Sequence, residues 1–170
     1  MKSIRQITIM GLLLALTFSL SVLESALSSA LPAGVRIGLA NIVVMITLLT
    51  LGKKQAFTIV VLKSVFIFLT KGFTAFLMSA AGGILSFLVL LALIRNEKNS
   101  LLLISVISAL VHNLSQLVTA CFTLGNVNVL WYAPVLILAG TAAGLATGTA
   151  AGVVLPPIRK IIGNLTHNQP

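Results

Sequence analysis

The sequence predicts an all-α integral membrane protein, a bundle of six transmembrane helices forming one membrane domain over residues 1–170. Three observations lead there. The chain is 58% hydrophobic and only 8% charged, with a mean hydropathy of +1.15, whereas soluble domains carry roughly 25% charged residues. Its apolar residues gather into segments approaching the roughly 20 residues that a helix needs to cross a ~30 Å hydrocarbon core. Its positive charges come in ones and twos between those segments, as topology signals do.

The first segment, 6–30, follows Lys2 and Arg5 as a signal peptide would. It continues past Glu24 without a clear small-residue cleavage site, so a retained helix is expected. Pro32 and Gly34 end it. The second and third segments, 37–51 and 55–70, are divided by Gly52 and are short for a full crossing. Either one can sit nearly upright, thin the bilayer locally, or re-enter it. Gly72 separates the third from the fourth, 73–94, and the polar run 96–100 separates the fourth from the fifth, 101–124. Residues 125–128 precede the sixth, 129–155. Pro156 and Pro157 are expected to end that helix, leaving a short cytoplasmic tail over 156–170.

With a cytoplasmic N-terminus, six crossings place Lys2, Arg5, Lys53, Lys54, Arg95, Lys98, Arg159 and Lys160 inside, Arg36 and Lys71 outside, and Lys63 within a helix. Eight against two is a positive-inside bias, and it puts both termini on the cytoplasmic side of the plasma membrane. Trp131 and Tyr132 then meet the outer interface, where amphipathic aromatics collect.

Composition also excludes chemistry. The chain has no Asp and only two acids, Glu24 and Glu97, in different parts of the chain. Paired-carboxylate hydrolysis and carboxylate-held magnesium are therefore out of reach of one subunit. Cys121 is the only cysteine, so neither a disulfide framework nor a Cys/His metal cluster is available, and it reads as a small apolar filler. Despite a pI near 10.8, no basic run with interleaved aromatics suggests nucleic acid. No catalytic residue, metal ligand or cofactor is assigned, and the chain does not read as an enzyme.

Helices associate in lipid through close packing, which favours small residues. The last segment carries Gly140, Gly144, Gly148 and Gly152 at four-residue spacing, with Ala142, Ala146 and Ala150 beside them. The first carries Gly11, Ala15 and Ser19. Packing within the subunit and docking to a partner membrane subunit both account for such stripes. Gly82 and Gly83 suit a bend or a close crossing.

Polar side chains at membrane depth mark functional sites or interhelical clasps. His112, Asn113 and Gln116 lie near the middle of the fifth segment, with His112 and Gln116 one turn apart. For Lys63, snorkelling toward the inner headgroups is one reading. Glu24, Arg36 and Lys71 fall near the outer boundary, where together they give the mouth of an outward-facing cavity a net positive charge that favours an anionic or strongly polar ligand end, and separately each reads as a solvated interfacial charge. The expected ligand site lies between the midplane and the outer face. It comprises Arg36, Asn41, His112, Asn113 and Gln116, with Glu24 and Lys71 at its mouth.

Three stretches, PAGVRIGLANIV from Pro32, FLMSAAGGILSFL from Phe76 and HNLSQL from His112, resemble the membrane family labelled heptaprenyl diphosphate synthase component I, also called the Gx transporter family. That family is similar to the S components of energy-coupling-factor transporters, six-helix proteins that capture a vitamin-like ligand from outside. The resemblance implies an S-component-like fold, a small organic ligand, a partner membrane subunit and separate ATPase chains. This chain itself has no Walker-type loop. Small residues near the start of the first helix dock the partner in S components, and the match is Gly11 and Ala15, with Gly where Ala is usual. Gly144 and Gly148 are the second candidate docking positions. The synthase label implies instead an accessory role in prenyl diphosphate or isoprenoid quinone synthesis, and the ligand class it suggests is isoprenoid or quinone-related. The Asp-rich motifs of a prenyltransferase are absent.

Overall fold

Backbone polar groups find no water in hydrocarbon, so each segment must close its own hydrogen bonds. Among the residues that the computed structural model describes, 2–28, 38–96 and 98–167, every regular element is helical. They are α1 (Lys2–Ser28), α2 (Asn41–Thr50), α3 (Lys53–Lys71), α4 (Phe73–Ile94), α5 (Leu101–Leu124), a 3-10 turn (Val127–Tyr132) and α6 (Ala133–His167). The expected breaks have visible causes. Gly52 and Gly72 adopt φ of 102° and 84°, a region closed to most side chains. The Ser100 hydroxyl caps α5 by accepting from the Leu103 amide at 3.1 Å.

α3 to α6 pack as successive antiparallel neighbours, α2 fits between α3 and α6, and α1 lies against α2 and α3. α1 and α3 run parallel: Gln6 and Gly11 share a groove with Gln55 and Thr58, Phe18 stacks on Phe66 at 4.4 Å between ring centroids, and Glu24 and Lys71 share a pocket. The start of α1 and the end of α6 therefore lie at the same end of the bundle. The half nearest that end is apolar, built from Val43, Val44, Ile59, Phe87, Leu90 and Ile104 among others.

Among the described residues, four helical stretches are long and apolar enough to cross a membrane, Gln6–Ala26, Phe73–Ile94, Leu101–Leu124 and Val127–Ile158. The other two behave differently. α3, with 19 residues, extends about 28 Å but carries four lysines. α2, with ten residues, reaches only about 15 Å, half a bilayer. Asn41 begins α2 level with Lys63, the eleventh of the nineteen residues of α3, and α2 ends beside the first residues of α3. Of the two short segments, the second is thus the one that starts at mid-depth.

The expected stop at Pro156 and Pro157 is corrected: α6 runs through both to His167. Each proline deprives the carbonyl four residues earlier of its donor. Those residues, Gly152 and Val153, are exposed at the end of the bundle, so the helix continues without burying an orphaned carbonyl.

Candidate ligand-binding site

The polar centre of the bundle is organised around Lys63. Its side chain, 7% exposed, donates from Nζ to Asn41 Oδ1 at 3.1 Å. The snorkelling reading is therefore corrected. α3 starts at Lys53 rather than Gln55, so Lys63 sits ten residues, about 15 Å, from that end and eight, about 12 Å, from Lys71, and Asn41 holds its amino group inside the bundle. The helix face that carries it also carries Ile59, Val60 and Ser64, all buried.

Lys63 forms a wall common to two pockets. One is a cavity of about 30 Å³ shared among α2 to α6, whose polar lining includes Asn41, Ser79, Ser86, Ser105, Ser108 and Thr147. That is room for about two water molecules. Ser105 and Thr147 bond to each other, Oγ to Oγ1, at 2.7 Å. The buried Ser108 Oγ finds no hydrogen-bond partner among the described residues, although buried hydroxyls are nearly always paired. The other pocket, about 10 Å³, lies among Ser21, Glu24, Ser25, Lys71 and His112. Glu24 Oε1 accepts from the Gly38 amide at 2.6 Å, which ties the chain leading into α2 down to the end of α1.

The electrostatics are positive on balance. Lys63 and Lys71 face one carboxylate, Glu24, and the N-terminus of α2 adds about half a positive charge at Asn41. Ala40 at that N-terminus provides no side-chain cap.

Of the residues expected at the site, Glu24, Asn41, Lys71 and His112 line these two pockets. Asn113 and Gln116 are buried on helix seams. Asn113 Nδ2 donates to the Leu136 carbonyl of α6 at 3.4 Å. The His112 ring lies between Gln116 Nε2, 3.0 Å from its Nε2, and Ser86 Oγ, 3.4 Å from its Nδ1. Arg36 lies outside the described residues. Gly82 brings α4 against α5 here, since a Cβ on it would stand 2.9 Å from both the His112 carbonyl oxygen and Gln116 Cγ.

The glycine stripe of α6 is an internal surface. A Cβ at Gly144 would lie 2.5 Å from Val106 Cα, and one at Gly148 would lie 3.0 Å from Ser105 Cβ. Both glycines are covered by α5, which corrects their expected availability to a partner. Gly11 and Ala15 are exposed, and nothing lies within 4 Å of a Cβ at Gly11.

Sequence reasoning missed Ser86, Ser105, Ser108 and Thr147, and misplaced Lys63. The signal was present on α5: Ser105, Ser108, His112 and Gln116 recur at three- and four-residue steps on one face.

The profile of the family described as heptaprenyl diphosphate synthase component I matches residues 13–154, which takes in α2 to α5 whole and most of α1 and α6. The chain belongs to the heptaprenyl diphosphate synthase component I family. No curated protein and no solved structure matches it. For a member of this family, the description "component" accords with a subunit working beside others, and the long apolar helices make it a membrane protein. The three motifs map onto the polar centre. The first contributes Gly38 and Asn41, the second Ser79 and Ser86, and the third His112.

Proposed function

We propose that this family member is the substrate-binding membrane subunit of an ATP-driven small-molecule uptake transporter, set in the plasma membrane with both termini cytoplasmic. The observation that carries this reading is the Lys63 amino group held at mid-depth by Asn41, beside the start of α2 and a Ser108 hydroxyl that no described residue satisfies. A cation at membrane depth is costly to maintain, and where one persists it usually lies on a substrate path. A half-length helix whose N-terminus opens at the midplane is the device by which transporters offer positive potential to an anionic group. Glu24, Lys71 and His112 flank the same point, while Asn113 and Gln116 hold the helices that frame it. ATP hydrolysis belongs to other chains, reached through a membrane partner that docks on the exposed Gly11 and Ala15 face of α1.

The test is mass spectrometry of small molecules retained by gently purified protein, with Lys63→Met purified alongside and both melted. The substituted protein is expected to keep its fold and to lose a ligand that the original retains. Equal retention by both proteins overturns the site.

The family's description favours a second reading, an accessory membrane subunit of prenyl diphosphate synthesis. It predicts copurification with a soluble Asp-rich synthase and a changed product chain length when the subunit is removed. The transport reading predicts copurification with a membrane subunit and ATPases instead.

A further inference from the structure

The polar cavity has an apolar neighbour. Between α1 and α6 runs a groove of about 330 Å³ whose lining, from Leu13, Leu16 and Leu20 across Ile46 to Ala150 and Val154, is apolar except for Thr147. It exists because α1 packs on α2 and α3 and makes no comparable contact with α6. Two residues, Ile42 and Thr147, belong to both this groove and the Lys63 cavity. Polar centre and apolar groove are therefore separated by the thickness of one pair of side chains.

We propose that the ligand is a single-chain amphiphile, with a small anionic head beside Lys63 and an apolar tail lying in the groove between α1 and α6. This rests on the ligand site proposed above and adds the ligand's chemical class. Charge selects the head: Lys63, Lys71 and the α2 N-terminus outweigh Glu24, and Ser108 Oγ offers a hydroxyl that no described residue satisfies. Size selects a carboxylate-like head, because the cavity of about 30 Å³ takes about two water-sized atoms. The groove is roughly twice the ~150 Å³ apolar cavity that accepts a benzene-sized guest, which suits one chain on the order of ten carbons. A neutral alcohol of equal length gains the groove but not the charge, and a short carboxylate gains the charge but not the groove.

The experiment uses the full chain in phosphatidylcholine nanodiscs and dodecanoate carrying a terminal diazirine. Photolabelling is expected on Leu16 and Ala150, saturable, displaced by dodecanoate and not by dodecanol. Lys63→Met and the groove-filling Ala146→Trp, an exposed position, are each expected to reduce that labelling at least tenfold without lowering the melting temperature. Label spread over lipid-facing positions such as Leu69 and Leu88, without competition, overturns the proposal. So does groove labelling that Lys63→Met leaves intact. The retained-ligand measurement separates the two readings: a ligand lost in Lys63→Met but kept in Ala146→Trp sinks the amphiphile and leaves the Lys63 site standing, whereas a ligand kept in both sinks the site as well.

Discussion

Gly144→Ala is the sharpest test of how this bundle is held together. The new methyl carbon would stand 2.5 Å from Val106 Cα and 3.0 Å from its amide nitrogen, whereas carbons prefer about 3.5–4.0 Å. Backbone cannot rotate away as a side-chain end can, so α5 and α6 must part by about 1 Å. Overpacking of this kind costs about 1–3 kcal/mol. The same parting stretches the Ser105–Thr147 hydrogen bond from 2.7 Å beyond useful length, at about 1 kcal/mol. Alanine's better helix propensity returns up to about 1 kcal/mol. The net expectation is a loss of about 1–3 kcal/mol, read as a melting temperature lowered by several degrees in purified protein. Gly152→Ala supplies the control on the same helix and the same stripe. Nothing lies within 4 Å of a Cβ there, so only the propensity gain remains, and that variant should be as stable as the original or slightly more so. If Gly144→Ala melts with or above Gly152→Ala, α5 and α6 are not packed as described.

Three further outcomes follow from the same geometry. Gly82→Ala should destabilise by about 1–3 kcal/mol, because its methyl meets the His112 carbonyl oxygen, while Gly83→Ala should be milder, meeting only the Val60 Cγ1 atom at 3.0 Å; equal melting of the two would contradict this. Asn113→Leu removes the bond to the Leu136 carbonyl and should lower stability by about 1 kcal/mol while ligand retention by the folded fraction stays unchanged; lost affinity at unchanged melting temperature would move Asn113 into the ligand site. Single cysteines at Lys54 and Asn128 should label from opposite faces of intact cells, and labelling of both from outside would rule out the proposed orientation.

Much of the candidate site was legible because charge and amide groups are conspicuous in an apolar chain. His112 lies near the centre of its segment by counting alone, and Asn41, Glu24 and Lys71 stand out against their surroundings. Lys63 was equally conspicuous, yet its direction was not. A lysine near mid-helix can lean toward the headgroups or into the bundle, and the choice depends on whether a partner waits inside. Asn41 is that partner, 22 residues away. The serines were illegible for the opposite reason, since a hydroxyl can bond back to the carbonyl one turn earlier, as Ser21 and Ser64 do, and so carries little cost wherever it points.

By itself the sequence determined what is local: helices, because lipid allows little else; membrane residence, because hydropathy sums residue by residue; and the breaks at Gly52, Gly72 and Gly125, because each adopts a positive φ that its neighbours cannot share. The tertiary structure decided what is pairwise. It set α2 to begin at mid-depth on Lys63, turned Gly144 and Gly148 inward onto α5, and left a groove where α1 stands away from α6. Hydropathy could not supply these, because lipid tails and apolar side chains are alike as solvents and nothing in composition says which face of a helix meets protein. Only the close fit of particular side chains across particular helices does that.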